Sequence, residues 1–282
     1  MSAETHLIAA AMRNEGPYLV EWIAHHLGLG FDHALVFTHG SQDGTDKMLR
    51  RLEKLGVATH RRNPPPERRT GGHRPRAARR ALRDPVYLAH DWAMFIDPNE
   101  FVNLDASHIS ALTARGLPLT LPRRIFGSAG VSSFHDGFQT ETFRRAAAEL
   151  SPLGPRSLHR TAVQTPAEPP SAQFGQINCY ATRTREAFLL EAHLTGKAPA
   201  RFHTLNRAEV YDASILPKLD AMKDIYDELM SDHKLARLHN RAVEWHRTQI
   251  DRLKQTEAGR EIERALKPGL ALFPGLRQRL SA

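Results

Sequence analysis

The stretch that decides the fold is Trp92-Ala93-Met94-Phe95-Ile96-Asp97-Pro98-Asn99-Glu100-Phe101. Its first five residues are apolar, too few for a helix, and rich in aromatic and branched side chains, which predicts a buried strand. Pro98 has no N–H and ends the strand, so Asp97, Asn99 and Glu100 follow it directly. Oxygen ligands at the carboxyl end of a sheet strand suit a divalent cation that itself binds phosphates. The alternative, in which Asp97 and Asn99 only begin a turn, stays open at this point.

Before this stretch, the chain alternates between short apolar strands and amphipathic helices. The predicted strands are Leu7–Met12, Phe31–Thr38 and Val57–His60. The helices between them are Tyr18–Leu27 and a second one with the apolar face Met48, Leu49, Leu52 and Leu55. A strand–helix–strand–helix–strand order predicts parallel pairing and right-handed crossovers. We therefore expect an α/β fold with a mostly parallel, Rossmann-related sheet flanked by helices.

The second half of the chain has weaker signals, apart from its C-terminal region. We predict strands at Leu117–Leu121 and Gln176–Tyr180, a strand-like segment at Thr140–Phe143, an irregular loop over Ser151–Gln173 and a helix at Glu186–Leu194. The segment Leu216–Leu253 carries two apolar stripes at helical spacing, with a break at Ser231-Asp232. Such stripes are typical of packing surfaces. We therefore divide the chain into an α/β domain, 1–204, and a C-terminal helical extension, 205–282.

Composition restricts the cellular setting more than the function. The single cysteine, Cys179, excludes an intramolecular disulfide, which fits a reducing compartment. The first residues lack the basic segment of a signal peptide, and no apolar run approaches the roughly 18 residues of a membrane span. The sequence therefore predicts a cytoplasmic protein. A net charge of +8 permits contact with nucleotides, anionic glycans, lipid headgroups or nucleic acid, and selects none of them.

The positive charge is concentrated in one segment, Arg61–Arg83, which contains nine arginines and four prolines. We predict a mobile loop over Asn63–Pro75 and a short helix over Arg76–Arg83. Charge runs usually form a solvated face. Alternatively, the arginines bind phosphates or an anionic acceptor, including the surface of an anionic membrane, because guanidinium groups contact such anions in bidentate geometry. Nucleic acid is an unlikely partner, since the segment lacks interleaved aromatic residues for base stacking.

Three groups of polar residues lie where predicted parallel strands end. They are Asn14-Glu15-Gly16, then Ser41 to Asp46, and then Asp97 to Phe101. Because the carboxyl ends of parallel strands meet at one edge of the sheet, these groups are expected to converge on one crevice. The chain has neither a phosphate-binding loop of the Gly-x-x-x-x-Gly-Lys-Ser/Thr type nor a Gly-x-Gly-x-x-Gly motif after a strand.

Five stretches resemble the bacterial family-2-type glycosyltransferases, which have a GT-A fold. They are MRNEGPYLVEWIAHHLGLGFDHALVFTHGSQDGTDKMLRRLEKLG (12–56), WAMFIDPNEF (92–101), RRIFGSAG (123–130), ETFRRA (141–146) and INCYATRTREAF (177–188). The resemblance implies transfer of a sugar from a nucleotide-sugar donor, usually with Mn²⁺ or Mg²⁺. It also implies nucleotide-sugar contacts and metal ligands. The implied nucleotide-sugar contacts are Asn14, Glu15, Ser41 and Asp43, and the implied metal ligands are Asp97, Asn99 and Glu100.

The chain departs from the family pattern at three places. His39-Gly40 replaces an acidic loop position, Asn99 replaces the second aspartate of the metal motif, and Cys179 replaces a histidine. An amide offers a hard cation an oxygen without a charge, so we expect weaker metal binding. Two hypotheses follow. One is an active glycosyltransferase of a bacterial surface-polysaccharide or glycoconjugate pathway, and the other is a catalytically degenerate domain that binds a nucleotide or glycan without turnover.

The transfer reaction requires a base for the acceptor hydroxyl, and carboxylates commonly serve as one. Asp136 and Glu141 follow the metal motif and lie near predicted strand ends, so they are the candidate catalytic residues. The alternative for Glu141 is a simple surface position, which is where most carboxylates lie. The acceptor is expected to be a glycan or a lipid-linked molecule, and the protein is then cytoplasmic or peripheral to the inner membrane.

Overall fold

The structure is a computed structural model that describes residues 3–64, 72–106, 108–162 and 169–267. Its strands are β1 His6–Met12, β2 His33–Thr38, β3 Ala58–Arg62, β4 Trp92–Ile96, β5 Glu100–Leu104, β6 Leu119–Leu121, β7 Arg123–Ile125, β8 Arg145–Ala146, β9 Arg156–Arg160, β10 Gly175–Cys179 and β11 Val210–Tyr211. Its helices are α1 Gly16–Gly28, α2 Thr45–Lys54, α3 His73–Ala81, α4 Pro85–Leu88, α5 Ser110–Thr113, α6 Gln139–Thr142, α7 Arg185–Thr195, α8 Ala200–Leu205, α9 Leu219–Met230, α10 His233–Gln255 and α11 Glu257–Ala265.

The centre of the fold is a six-stranded sheet in the order β3-β2-β1-β4-β9-β6. The first four strands in this order are parallel, and β9 is antiparallel to both of its neighbours. Helices α1 and α2 connect the parallel strands, as the alternating sequence pattern predicts. The predicted α/β class, with a mostly parallel sheet flanked by helices, is confirmed. The predicted strand at 92–96 is also confirmed, and it lies in the middle of the sheet.

Both faces of the sheet are covered. On β1, Ile8 and Ala10 belong to the large core beneath α1 and α9, whereas Leu7 and Ala9 pack with Ala77 of α3 on the opposite face. Successive side chains of a strand point to opposite faces, so a strand between two layers of helices must be apolar along its whole length. This requirement explains the uninterrupted apolar run of β1 and of β4.

A second sheet, β5-β10-β7, lies beside the carboxyl end of β4. Strand β5 begins at Glu100, after a turn over residues 97–99, and pairs with β10 so that Cys179 is opposite Glu100. Strand β10 also runs parallel to β7, with Cys179 opposite Ile125. The polar end of the 92–101 stretch therefore lies between the two sheets.

Two predictions for the second half of the chain are wrong. The segment predicted as strand-like contains helix α6 instead, because the backbone amides of Gln139 and Thr140 donate to the buried carboxylate of Glu21 at 3.0 Å each. The segment predicted as an irregular loop contains β9, which inserts between β4 and β6 with only Leu158 fully buried. A strand with one apolar residue has almost no hydrophobic pattern to detect.

The C-terminal helices are packed against the α/β layer. Helix α9 lies along α1, and α10 contacts α1, α2 and α7. Their buried residues Met222 and Ala242 belong to the same hydrophobic core as the sheet. The predicted break at Ser231-Asp232 is confirmed, and Asp232 caps α10 by accepting from the backbone N–H of Leu235 at 2.8 Å. The division at residue 204 stays a prediction, and it falls inside α8.

Two further expectations concern the surface. The helix predicted at Arg76–Arg83 is present as α3, displaced towards the N-terminus, whereas residues 65–71 of the predicted mobile loop lie outside the described residues. Among the described parts of the chain, no helix is both long enough and apolar enough to cross a membrane.

Candidate functional site

A cavity of about 400 Å³ opens at the carboxyl ends of β1 and β4. This volume lies in the range of small-molecule binding sites. Residues after β1 form one side, the turn after β4 forms the floor, and the region from β10 to α8 forms the other side. Of the predicted site residues, Asn14, Glu15, Asp97, Asn99 and Glu100 line this cavity.

The loops after β1 and β2 are joined by side-chain hydrogen bonds. Asn14, in the left-handed backbone region with φ 55°, accepts from the backbone N–H of Gln42 at 2.7 Å, and Ser41 Oγ accepts from the N–H of Asn14 at 3.4 Å. Asp43 is buried and accepts from Gly16 and Thr45. Ser41 and Asp43 therefore hold the loops together outside the cavity lining, and their predicted nucleotide contacts stay predictions.

Glu15 is the carboxylate of the first motif that faces the cavity. Its Oε2 accepts from Arg183 Nη2 at 2.8 Å, and the guanidinium of Arg183 lies 3.7 Å from the centre of the Tyr18 ring. Burial raises the pKa of Glu15 to about 7, although Arg183 acts in the opposite direction. Glu15 can therefore gain or lose a proton near neutral pH.

This raised pKa predicts a measurable dependence of stability on pH. The folded state binds more protons than the unfolded state between pH 4.5 and about 7, so the contribution of Glu15 is fully present below pH 4.5 and is lost as the pH rises towards 7. The difference between the pKa of Glu15 in the unfolded and in the folded state corresponds to about 3 kcal/mol in the free energy of unfolding. We expect Glu15→Gln to flatten the curve of unfolding free energy against pH, measured by urea denaturation. Parallel curves for the variant and the wild type would contradict the prediction.

The two carboxylates of the 92–101 stretch are held by three arginines. Asp97 pairs with Arg74, and its Oδ2 lies 2.7 Å from Arg156 Nη2. Glu100, which is fully buried, accepts from Arg156 Nε at 2.6 Å and from Arg123 Nη1 at 2.8 Å. Burial acts to raise the pKa of Glu100, but the hydrogen bonds and charge of Arg156 outweigh burial and lower it. Glu100 is therefore ionised, and the cluster contains more cations than carboxylates.

The donor set at this position does not fit a divalent cation. Every carboxylate oxygen of Asp97 and Glu100 already accepts from a guanidinium group or a backbone amide. The described residues bring together no group of three or more His, Cys, Asp or Glu that could hold a metal. The predicted use of Mn²⁺ or Mg²⁺ stays a prediction.

The three departures from the family pattern have different structural settings. Asn99 Nδ2 lies 3.8 Å from Cys179 Sγ, so these two substituted positions are neighbours in the cavity. Burial raises the pKa of the Cys179 thiol to about 12, so the thiol is neutral and weakly nucleophilic. His39 lies elsewhere, with its ring stacked on His73 of α3 at a centroid distance of 3.5 Å.

The two predicted catalytic residues do not line the cavity. Asp136 is half exposed and pairs with Arg247 at 3.0 Å, and Glu141 pairs with Lys223 at 2.6 Å. The cavity carboxylate with the greatest exposure is Glu191 of α7, whose side chain is 45% exposed and lies 2.9 Å from Lys197. The roles predicted for Asp136 and Glu141 stay predictions.

The arginine-rich segment is divided between two environments. Arg61 pairs with Asp84 at 2.8 Å, Arg76 donates to Asn63 at 2.8 Å, and Arg74 reaches Asp97. Others are exposed on α3 and just after it, namely Arg79, Arg80 and Arg83. These paired arginines therefore fix the fold around the site, and the exposed ones among the described residues are accessible to an external anion.

Several residues that line the cavity were not predicted as site residues from the sequence. They are the cavity cations Arg13, Arg123, Arg183, Lys197 and Arg201, together with His246 of α10. Arg123 and Arg183 lie within stretches that carry the family resemblance, so that signal was available. Lys197, Arg201 and His246 come from segments with no motif. Lys197 follows α7, Arg201 lies in α8, and His246 lies in α10, which packs against α1, α2 and α7.

Comparisons with known proteins find only a distant structural similarity. No family model matches the chain, and no curated protein matches it in sequence. Among solved structures, S. aureus TarS 1-349 is 13% identical over 95% of this chain and 93% of that one, with a TM-score of 0.36. TarS 1-349 in complex with UDP is 13% identical over 89% and 91% of the two chains, with a TM-score of 0.39. At these scores the likeness does not define the function of this chain.

Proposed function

We propose that this protein is a glycosyltransferase that moves a sugar from a nucleotide-sugar donor to an acceptor. The observation that carries the proposal is the cavity at the carboxyl ends of parallel strands, with an excess of cationic side chains in and around its wall. Such an edge is where open α/β sheets bind ligands. The resemblance of five sequence stretches to family-2-type enzymes supplies the class of reaction.

The charge of the cavity suits a diphosphate. Its lining cations are Arg13, Arg123, Arg183, Lys197 and Arg201, and its lining carboxylates are Glu15, Asp97, Glu100 and Glu191. Behind the wall, Arg74 and Arg156 add two further positive charges next to the carboxylates. A site with a net positive charge raises the local concentration of an anionic donor.

The reaction requires little covalent chemistry from the protein. The oxygen of the acceptor hydroxyl bonds to the anomeric carbon of the sugar, and the bond from this carbon to the diphosphate oxygen breaks. The electron pair of the broken bond stays on the diphosphate, and the proton of the acceptor passes to a carboxylate. Cationic side chains held in place before the reaction stabilise the charge that develops on the leaving group.

The proposal is tested with a panel of nucleotide sugars that differ in base and sugar. Binding is measured by calorimetry and hydrolysis by release of the nucleotide, in Mn²⁺, in Mg²⁺ and in EDTA, for the wild type and for Asn99→Asp. We expect the wild type to bind at least one donor and to hydrolyse it slowly when no acceptor is present. If the wild type binds no nucleotide sugar under any condition, the proposal is wrong.

The second candidate is a domain that binds a nucleotide or glycan without turnover. The neighbouring substitutions Asn99 and Cys179 favour it, because Asn99 places an uncharged amide in the metal motif and Cys179, which replaces a histidine, has a neutral thiol. Donor binding without hydrolysis in the wild type, together with hydrolysis in Asn99→Asp, would support this candidate over the first.

The same proposal includes the pathway, the cellular location and the acceptor of the reaction. We place the protein in the assembly of a bacterial polysaccharide or glycoconjugate, on the cytoplasmic side, with a glycan or a lipid-linked molecule as the acceptor. The exposed arginines of the 61–83 segment would then contact anionic lipid next to the site. Sedimentation with vesicles that contain phosphatidylglycerol, compared with neutral vesicles, tests this contact, which should weaken as salt is added.

A further inference from the structure

The carboxylates that resemble a metal motif are already neutralised by this chain's own side chains. Asp97 and Glu100 are bound by Arg74, Arg123 and Arg156, and Glu100 is fully buried. Replacing these contacts with a cation would leave buried guanidinium groups without a partner, which is unfavourable. The positive charge at this end of the cavity is therefore supplied by arginine.

The cavity also contains donors that no described residue satisfies. Buried atoms without a hydrogen-bond partner include Arg13 Nε, Arg123 Nε and Thr182 Oγ1, and all three residues line the cavity. Arg123 is nine-tenths buried, and its Nη1 is used by Glu100. Buried polar groups are nearly always satisfied in folded proteins. The three atoms have almost no accessible surface, so they are unused donors inside the cavity wall. The cationic side chains that line the cavity are what suit a ligand that is rich in acceptors.

Arg13 is the cavity cation whose guanidinium group is most available to bind such a ligand. Its described hydrogen bond is a long one, from Nη1 to the carbonyl of Leu194 at 3.4 Å, and it has no carboxylate partner among the described residues. Arg201, which also lines the cavity, is exposed and likewise forms no ion pair within the described part of the chain. A diphosphate in the cavity can accept hydrogen bonds from guanidinium groups, which bind such anions in bidentate geometry.

We infer that arginine side chains of this protein, with Arg13 and Arg123 foremost, neutralise the diphosphate of the donor in place of a divalent cation. This inference rests on the proposed function and specifies how that site works. The guanidinium groups donate hydrogen bonds to the diphosphate oxygens as the electron pair of the broken sugar–oxygen bond moves onto them. No proton is transferred from arginine, which acts only through its charge and its hydrogen bonds.

Inorganic pyrophosphate in EDTA provides the test, because it contains the diphosphate without a base or sugar. Calorimetry on the full chain should detect binding in the wild type, and Arg13→Met should weaken it at least tenfold. Arg247→Met is the matched control, because Arg247 pairs with Asp136 outside the cavity lining. Arg123→Lys is the second variant, which keeps the charge next to Glu100 and removes Nε. We expect it to weaken binding, with the folded state checked by circular dichroism.

The possible results separate this inference from the proposed function. Pyrophosphate binding that appears only with Mn²⁺ or Mg²⁺, or no binding at all, overturns the inference, even if nucleotide sugars are turned over in metal. An equal loss of affinity in Arg247→Met and Arg13→Met also overturns it, because the effect would then be one of net charge. Binding in EDTA together with a failure to bind any nucleotide sugar leaves an arginine-lined diphosphate site and removes the proposed reaction.

Discussion

Replacing Glu100 with glutamine is expected to lower the free energy of unfolding by about 3–5 kcal/mol, because the buried guanidinium of Arg123 loses its carboxylate partner and that of Arg156 keeps only Asp97. Glu100 is fully buried, and both of its oxygens accept from Arg123 or Arg156. Glutamine has nearly the same shape, so the loss measures the charge and not the packing. Chemical denaturation monitored by the fluorescence of the three tryptophans follows the change.

The matched control is the same substitution at a carboxylate on the surface. Glu141 pairs with Lys223 at 2.6 Å, but both side chains are more than a third exposed. Exposed pairs of this kind contribute at most about 1 kcal/mol. Glu141→Gln should therefore leave the unfolding midpoint nearly unchanged. Similar losses in the two variants would mean that the buried pairs of Glu100 contribute no more than surface pairs.

The parallel half of the fold could be predicted because its sequence carries one consistent signal. Strands β1, β2 and β4 are buried on both faces, so each is a continuous apolar run that ends in polar residues. The order of these runs then determines the sheet and brings the three polar groups to one edge. Hydrophobic pattern and topology were sufficient here, and Asn14, Glu15 and Asp97 were found at the cavity for that reason.

The remaining parts of the site depend on long-range contacts that the local hydrophobic pattern does not predict. Arg156 lies on β9, a strand with one fully buried residue, and it meets Asp97 and Glu100 only because β9 pairs with β4. Helix α6 forms where its first amides reach Glu21, more than a hundred residues away in sequence. In both cases the local structure depends on a buried carboxylate that is distant in sequence. A pattern over a few neighbouring residues therefore cannot predict it.

The same separation explains why the sequence predicts a metal site at the acidic motif without predicting the arginines around it. Asp97, Asn99 and Glu100 follow a core strand, where oxygen ligands for a cation are common. The charges that oppose a metal come from α3, β7 and β9, on either side of the motif in sequence. The contacts between those arginines and the carboxylates are visible only in the structure. The sequence therefore predicts where the polar groups converge, but it does not predict the net charge there.

The largest effect on activity is expected at Glu191. Of the four carboxylates that line the cavity, Glu15, Asp97 and Glu100 are held by arginines, whereas Glu191 is 45% exposed and pairs only with Lys197. It is therefore the carboxylate most able to accept the proton of an acceptor hydroxyl. We expect Glu191→Gln to lower kcat roughly 10²- to 10⁴-fold, with little change in donor affinity, measured by nucleotide release and calorimetry.

The controls are the two carboxylates first predicted to act as the base. Asp136→Asn and Glu141→Gln alter side chains outside the cavity lining, so we expect both variants to keep near-normal kcat and KM. A loss of kcat in either of these variants, with Glu191→Gln fully active, would return the catalytic role to the earlier candidates. It would also require Asp136 or Glu141 to reach the cavity through a rearrangement that breaks its ion pair with Arg247 or Lys223. Because surface pairs are weak, such a movement would be detectable as a kcat that depends on salt concentration.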